Sequence, residues 1–280
     1  MPYPLEKLAY GLRQRLRELA TLSEAYDLQI AAPNYYGLQP IQKLRPVSNA
    51  TFLINQNGIL IKFLNDKRFL ADISDDLIFH IVSTTLKFEG VKQTHKFSMF
   101  ADNFRLVPNM LYFYDCVLKR TTFVEPFLSS LTSSITHLEL DGTTTSQNAA
   151  RAICSAPAFK NLEEFYIFKP SYPSPIFWME ALAEAKCNSL KVMYIADASL
   201  ATLQIDKDFF LNFIKAQRDG FEMCICMHEE TDRIKTVELR NQLLLDEHFY
   251  SVTSWKMAHN KKHVSIGFED ESLYHILLTD

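Results

Sequence analysis

The sequence predicts an α/β chain: a solenoid of strand–helix units behind a short helical segment. Three observations predict it. First, one pattern occurs three times, apolar at its positions 1, 4 and 6: Ile135, Leu138, Leu140; Leu162, Phe165, Ile167; Leu190, Met193, Ile195. The starts lie 27 and 28 residues apart. Second, the intervening stretches carry apolar residues at three- and four-residue intervals, which is helical spacing. Third, 48% hydrophobic, 22% charged and 12% aromatic residues describe a folded globule rather than a disordered chain.

In chain order, Leu5, Leu8, Leu12, Leu16 and Leu19 recur every three or four residues and form one apolar stripe on a first helix, with Arg13, Arg15 and Arg17 off the stripe. Thr21 or Ser23 is placed to cap a second helix holding Ala25, Tyr26, Leu28 and Ile30, ended by Pro33. Two helices this short bury little by themselves, so they must dock on the repeats, on a partner, or on both. Asn57-Gly58 between two apolar runs predicts a hairpin of strands 51–56 and 59–64. Ser74, Asp75 and Asp76 predict a capped helix running to Thr85. One repeat before 135, Leu111 and Phe113 fall at positions 4 and 6, and Cys116 falls where such repeats often hold Asn or Cys. A weaker copy starts at Ile81, with Thr84 and Leu86. One repeat after 190, a copy starting near Phe221 puts Cys224 and Cys226 at its inward positions. Helices are expected over 145–159, 173–188, 206–218 and 233–249, and a last strand over 263–269.

A strand and a helix every 27–31 residues give parallel strands side by side, and this period with apolar positions 1, 4 and 6 is the leucine-rich-repeat signature. The expected organisation is a helical segment over 1–45, a capping lead-in with hairpin and helix over 46–106, and a leucine-rich-repeat-like solenoid with a C-terminal cap over 107–280.

The N-terminal stretch Pro4, Leu5, Leu8, Ala9, Leu12, Leu16, Leu19, then Ser23, Glu24 and Ala25, resembles an F-box, most closely the form in nematode families of F-box and leucine-rich-repeat proteins. Ala9 stands where a second proline is usual in that pattern, and Pro33, Asn34, Tyr35, Tyr36 and Gly37 replace its third-helix Val-Cys-x-x-Trp region. In detail the resemblance covers the N-terminal helical segment, together with the general repeat architecture behind it. It implies docking on a Skp1-type adaptor of a cullin-type ubiquitin ligase through Pro4, Leu5, Leu8, Leu12, Leu16 and Leu19, and a non-catalytic role in substrate recognition. Read without the resemblance, the same helices are an N-terminal cap on a protein-binding repeat array.

No catalytic residue, metal site or cofactor is indicated. The sequence has no GxSxG elbow and no GxxxxGK[ST] loop. Cys224 and Cys226 lack the spacing of a zinc site, and His228, His259 and His263 read as turn residues. The five cysteines show no disulfide framework, which with the absence of an 18-residue apolar run predicts a cytoplasmic or nuclear protein without a membrane partner. A net charge of -4 and a small basic cluster (Lys256, His259, Lys261, Lys262, His263) give no footprint for nucleic acid. The informative residues are those between the inward positions. Position 5 reads Tyr112, Glu139, Tyr166, Tyr194 and Ile225, and position 7 reads Tyr114, Asp141, Phe168, Ala196 and Met227. Outward positions of a sheet are expected to be polar; these are largely aromatic or apolar. Tyr112, Tyr114, Glu139, Asp141, Tyr166, Phe168 and Tyr194 are therefore the expected binding surface for a protein substrate, unless the C-terminal tail folds across them.

Overall fold

The computed structural model describes residues 7, 9–20, 22–32, 43–69, 78–101, 103–172, 174–245, 247–269 and 273–278. Two helices, α1 (Tyr10–Leu19) and α2 (Leu22–Ala31), precede the strands β1 (Lys43–Ile54), β2 (Leu60–Leu64), β3 (Lys67–Phe69) and β4 (Ile78–Glu89). A short α3 (Ser98–Ala101) and β5 (Phe104–Leu106) lead into β6 (Met110–Tyr114), β7 (Val117–Leu118) and α4 (Glu125–Ser130). Then follow β8 (His137–Asp141), β9 (Thr144–Thr145), α5 (Gln147–Ser155), β10 (Glu164–Phe168), α6 (Pro175–Glu184), β11 (Val192–Ala198), α7 (Lys207–Ala216), β12 (Glu222–Met227) and α8 (Arg233–Leu244). The chain closes with β13 (Phe249–Val252), α9 (Trp255–Ala258), β14 (His263–Gly267) and β15 (Tyr274–Leu277).

One large mixed sheet runs through the molecule, in the order β13-β15-β14-β12-β11-β10-β8-β6-β4-β1-β2-β3, with β5 also on β4. Its strands from β1 to β14 are parallel, and antiparallel pairs close each end: β2 and β3 at one, β15 and β13 at the other. Register carries the sequence pattern across the sheet. Leu86, Leu111, Leu138, Phe165, Met193, Met223 and Val264 form one row, and Phe88, Phe113, Leu140, Ile167, Ile195, Ile225 and Ile266 the next. Every member of both rows is buried. Helix residues such as Trp178, Leu182, Phe213 and Leu244 complete this core, which therefore lies between the sheet and a helical layer.

Helices α5, α7 and α8 start where the sequence offers an acceptor for their unpaired N–H groups. Ser146 Oγ accepts from Ala149 N at 3.2 Å, Asp206 Oδ1 from Phe209 N at 2.8 Å, and Asp232 Oδ1 from Lys235 N at 3.1 Å. Pro175, at the first position of α6, has no N–H to lose there. The expected hairpin forms: Ile54 faces Leu60, Gly58 turns at φ +76°, and Asn55 Oδ1 accepts from both Asn57 N and Ile59 N.

Six expectations need correction. The segment from Ile78 to Thr85 is strand, not helix, while 70–77 lies outside the described residues. Its β-branched and aromatic residues suit a sheet interior, and pairing with β1 and β6 overrides the local cap signal. The inward residues there are Leu86 and Phe88, not Thr84, which is exposed. On β12 the phase is reversed: Met223, Ile225 and Met227 are buried, and Cys224 and Cys226 face the other way. Met223 pairs with Met193, so the repeat step is one position shorter than the sequence pattern suggests, and apolar residues on both faces of this strand hid the alternation. Finally, α8 ends at Leu244, Phe249 starts a strand, and β14 is followed by β15 rather than being the last strand. His263 is 2% exposed, a strand residue rather than a turn residue.

Candidate functional site

Alternation along each strand sends the residues between the core rows to the opposite face. Three rows lie there, in register. The first is Thr85, Met110, His137, Glu164, Val192, Glu222 and His263; the second is Lys87, Tyr112, Glu139, Tyr166, Tyr194, Cys224 and Ser265; the third is Glu89, Tyr114, Asp141 and Phe168. All seven residues expected to bind substrate — Tyr112, Tyr114, Glu139, Asp141, Tyr166, Phe168 and Tyr194 — stand together on this face, half-buried. Ile225 and Met227 do not; Cys224 takes the place expected for Ile225.

Described elements cover this face only at its two ends. At one end Phe79 and Ile81 point away from the core side held by His80 and Val82, and Tyr26 of α2 packs on Phe79 with ring centroids 5.6 Å apart. Arg105, in register with Ile81, lies 5.5 Å over the Tyr26 ring and pairs with Asp27 at 2.9 Å. At the other end Ala258 of α9 joins Ile276 and Val252 in a small separate cluster. Ile276 is in register with His263, so α9 sits on the same face as α2. The C-terminal strand β15 extends the sheet edge and does not cross the tyrosines. Between α2 and α9 the face of β6 to β12 is a trough floored by aromatic rings.

The floor is continuous. The His137 ring lies 5.0 Å from Tyr112 and 5.0 Å from Tyr166. Tyr166, Phe168 and Tyr194 form a trio with centroids 5.7 to 6.3 Å apart. Carboxylates hold the ladder in place. His137 Nδ1 is 2.9 Å from Glu164 Oε2, its Nε2 is 3.7 Å from Glu139 Oε2, and Tyr114 OH donates to Glu139 Oε1 at 2.9 Å. The Lys169–Asp141 ion pair at 3.4 Å involves an exposed lysine and adds little stability.

Burial, and then the carboxylates, keep the hydroxyls protonated. Tyr112 is raised by burial first and by Glu139 and Glu164 next, and Tyr166 by burial first and then by Glu164, Glu222 and Glu139. Tyr114 is raised by burial and by its hydrogen bond to Glu139, and Tyr194 is pushed up to about 12 by burial and then by Cys224, Cys226, Glu269 and Asp197. The Cys224 thiol is likewise pushed up to about 12, chiefly by burial, so it is a neutral thiol at ordinary pH rather than a nucleophile. Next to Tyr194, a cavity of about 500 Å³ opens at the ends of β11 and β12, lined in part by Asp197, Cys226, Glu229, Arg233 and Glu269.

Among the residues expected to meet an adaptor, Leu12 is 57% and Leu19 73% exposed, and Leu16 is half-buried. Pro4, Leu5 and Leu8 lie outside the described residues. Leu16, Leu19, Ala20 and Leu28 line an open cleft of about 550 Å³ between α1 and α2. Sequence reading missed His137, Glu164 and Glu222. Glu164 follows His137 by one repeat and Glu222 follows Glu164 by two, which was a usable signal. Among the described residues no group of three or more His, Cys, Asp or Glu side chains is placed to hold a metal, and no helix is long and apolar enough to cross a membrane. Comparison with protein-family models, with curated proteins and with solved structures gives no match.

Proposed function

We propose that this chain is a non-catalytic substrate-recognition subunit: its N-terminal helices dock on a Skp1-type adaptor of a cullin-type ubiquitin ligase, and the trough between α2 and α9 holds a protein substrate. The observation that carries the binding role is the half-exposed aromatic ladder on the part of the face that no described element covers, since contiguous exposed apolar surface marks interaction sites. The parallel strand–helix units, repeating at 27 and 28 residues, support reading the frame as a leucine-rich-repeat-like solenoid. The adaptor link rests on the F-box-like stripe, and exposed Leu12 and Leu19 beside an apolar cleft are consistent with it. Such a subunit acts by proximity, raising the effective concentration of a substrate lysine near the conjugating enzyme.

A second reading is favoured by one observation: Ala25 is buried and Tyr26 packs on Phe79, so α2 also serves as a cap on the sheet. In that reading the chain is a protein-binding repeat module with no ligase link. Co-expression with a Skp1-type adaptor separates the two. The wild type should co-purify with the adaptor, and Leu12→Glu with Leu19→Glu should lose it while the melting temperature stays within about 2 °C, as for exposed positions. A wild-type chain that never co-purifies removes the ligase reading and leaves the module.

A further inference from the structure

The trough pairs its aromatic floor with carboxylates. Glu89, Glu139, Asp141, Glu164 and Glu222 stand in its three rows, and Asp197 and Glu269 line the cavity beside Tyr194. The described cations of the same surface are few and placed at its margins, and at the end of the first row His263 faces Glu222 with Nε2 3.8 Å from Oε1. Lys87 is committed to Tyr112, with Nζ 5.1 Å from the ring centroid. Lys169 leans to Asp141, and Arg233 lies 4.2 Å over Phe268 in the cavity wall. The trio Tyr166, Phe168 and Tyr194 sits among the carboxylates with its rings half-exposed.

We propose that the trough recognises an extended, arginine-bearing segment of its protein partner, with a guanidinium seated on the Tyr166–Phe168–Tyr194 trio and neutralised by Glu164, Glu222 and the acids beside Tyr194. This rests on the receptor reading and names the chemistry of its substrate. A guanidinium is planar, stacks on aromatic faces and presents donors to carboxylates on its edges, so it uses both halves of the surface at once. Lys87 over Tyr112 shows a cation already held on a ring of this floor within the chain. The neutral state of the tyrosines keeps the rings compatible with a cation and adds no further anion, while the surrounding carboxylates raise the local negative potential. The same potential disfavours a nucleic-acid backbone. The ladder steps from Tyr112 to His137, Tyr166 and Tyr194 in intervals of 5.0, 5.0 and 6.1 Å, room for roughly five extended residues at about 3.3 Å each.

The test uses the full chain and two fluorescein-labelled peptides of equal length, one alternating Arg and Leu, the other alternating Glu and Leu, read by fluorescence anisotropy. The Arg–Leu peptide should bind, the Glu–Leu peptide should not, and raising the salt to about 0.5 M should weaken the complex roughly tenfold by screening. Glu164→Gln with Glu222→Gln keeps shape and should weaken binding roughly tenfold with an unchanged circular dichroism spectrum. Tyr166→Leu with Tyr194→Leu, which keeps an apolar floor but removes the π faces, should weaken it by a similar factor. Equal binding of both peptides, no binding of the Arg–Leu peptide, or unchanged affinity in the Gln variant overturns the proposal. The receptor reading stands or falls separately, on adaptor co-purification through α1.

Discussion

Phe113 and its neighbours Tyr112 and Tyr114 sit on one five-residue strand and lead opposite lives. Phe113 is 1% exposed and stacks on Phe88 at 5.4 Å, inside a cluster with Phe123 and Phe127. Tyr112 and Tyr114 stand on the other face, half-buried, 6.1 Å apart and nearly parallel. Strand β10 repeats the division, with Phe165 against Trp178 on the core side and Tyr166 beside Phe168 in the trough. Both faces are aromatic, so hydrophobicity alone does not separate them. What separates them is polar company: the core rings meet other apolar groups, whereas the trough rings stand beside Glu139, Glu164 and His137. An aromatic cluster without polar partners is a folding device; one laced with carboxylates and left half-open is the kind of surface that the proposed charge-bearing partner would use.

The strongest way to break this comparison is through the core rings. Phe88 is fully buried and touches Phe52, Phe100, Phe113, Phe123 and Phe127, so Phe88→Ala should cost about 4 kcal/mol in urea unfolding. Tyr166→Ala with Tyr194→Ala should cost far less stability and should abolish partner capture. A loss as large as that of Phe88→Ala would make the trough rings core residues and end the distinction.

Histidines sharpen the contrast next. On the core side, His80 is lowered to about 4 by burial and then by Arg45 and Lys62, and His275 to about 4 by burial and then by Arg240. Unfolded, each takes a proton near 6.5; folded, each resists until about 4. The unfolded state therefore binds more protons across that window, and stability falls as pH drops from about 6.5 to 4, by up to about 3 kcal/mol for each histidine. His275→Leu should flatten part of that slope in pH-dependent melting. On the trough side, burial opposes the charge of His263, but the Glu222 carboxylate, 3.8 Å from its Nε2, and the Lys261 carbonyl, 2.9 Å from its Nδ1, outweigh it and raise its pKa. Its contribution is complete below about 6.5 and is lost as pH rises through the raised value, the opposite sign.

The smallest effect is also the most local. Glu139→Ala should cost about 1 kcal/mol, because Glu139 accepts a hydrogen bond from Tyr114 rather than standing free in solvent. Tyr114→Phe should cost about the same, and the double variant should cost less than the sum, because one bond is removed twice. Strict additivity would show that the hydrogen bond contributes nothing measurable.

Much of the fold was legible because the rows are periodic. Leu111, Leu138, Phe165 and Met193 recur at a nearly constant step, and parallel pairing turns that step into register. The seven trough residues were legible for the same reason, as the alternates of inward positions. Legibility failed where the pattern lost contrast. In β12, Met223, Cys224, Ile225, Cys226 and Met227 are all apolar, and a sequence cannot say which of two apolar faces turns inward. In β4, acidic residues ahead of an apolar run imitate a helix start, and only the partners on either side, β1 and β6, make it a strand.

The sequence by itself determined the alternation of strand and helix, the two core rows from β6 to β11, and the chemistry of the trough floor, because these follow from side-chain period and from backbone pairing between one repeat and the next. The tertiary structure decided what joins distant parts. It set the phase of β12, placed His137 between Tyr112 and Tyr166, brought Glu222 to His263, and put α2 and α9 on the same face as the tyrosines. Those contacts link residues far apart in the chain, whose meeting depends on strand order and register, and no local pattern encodes that order.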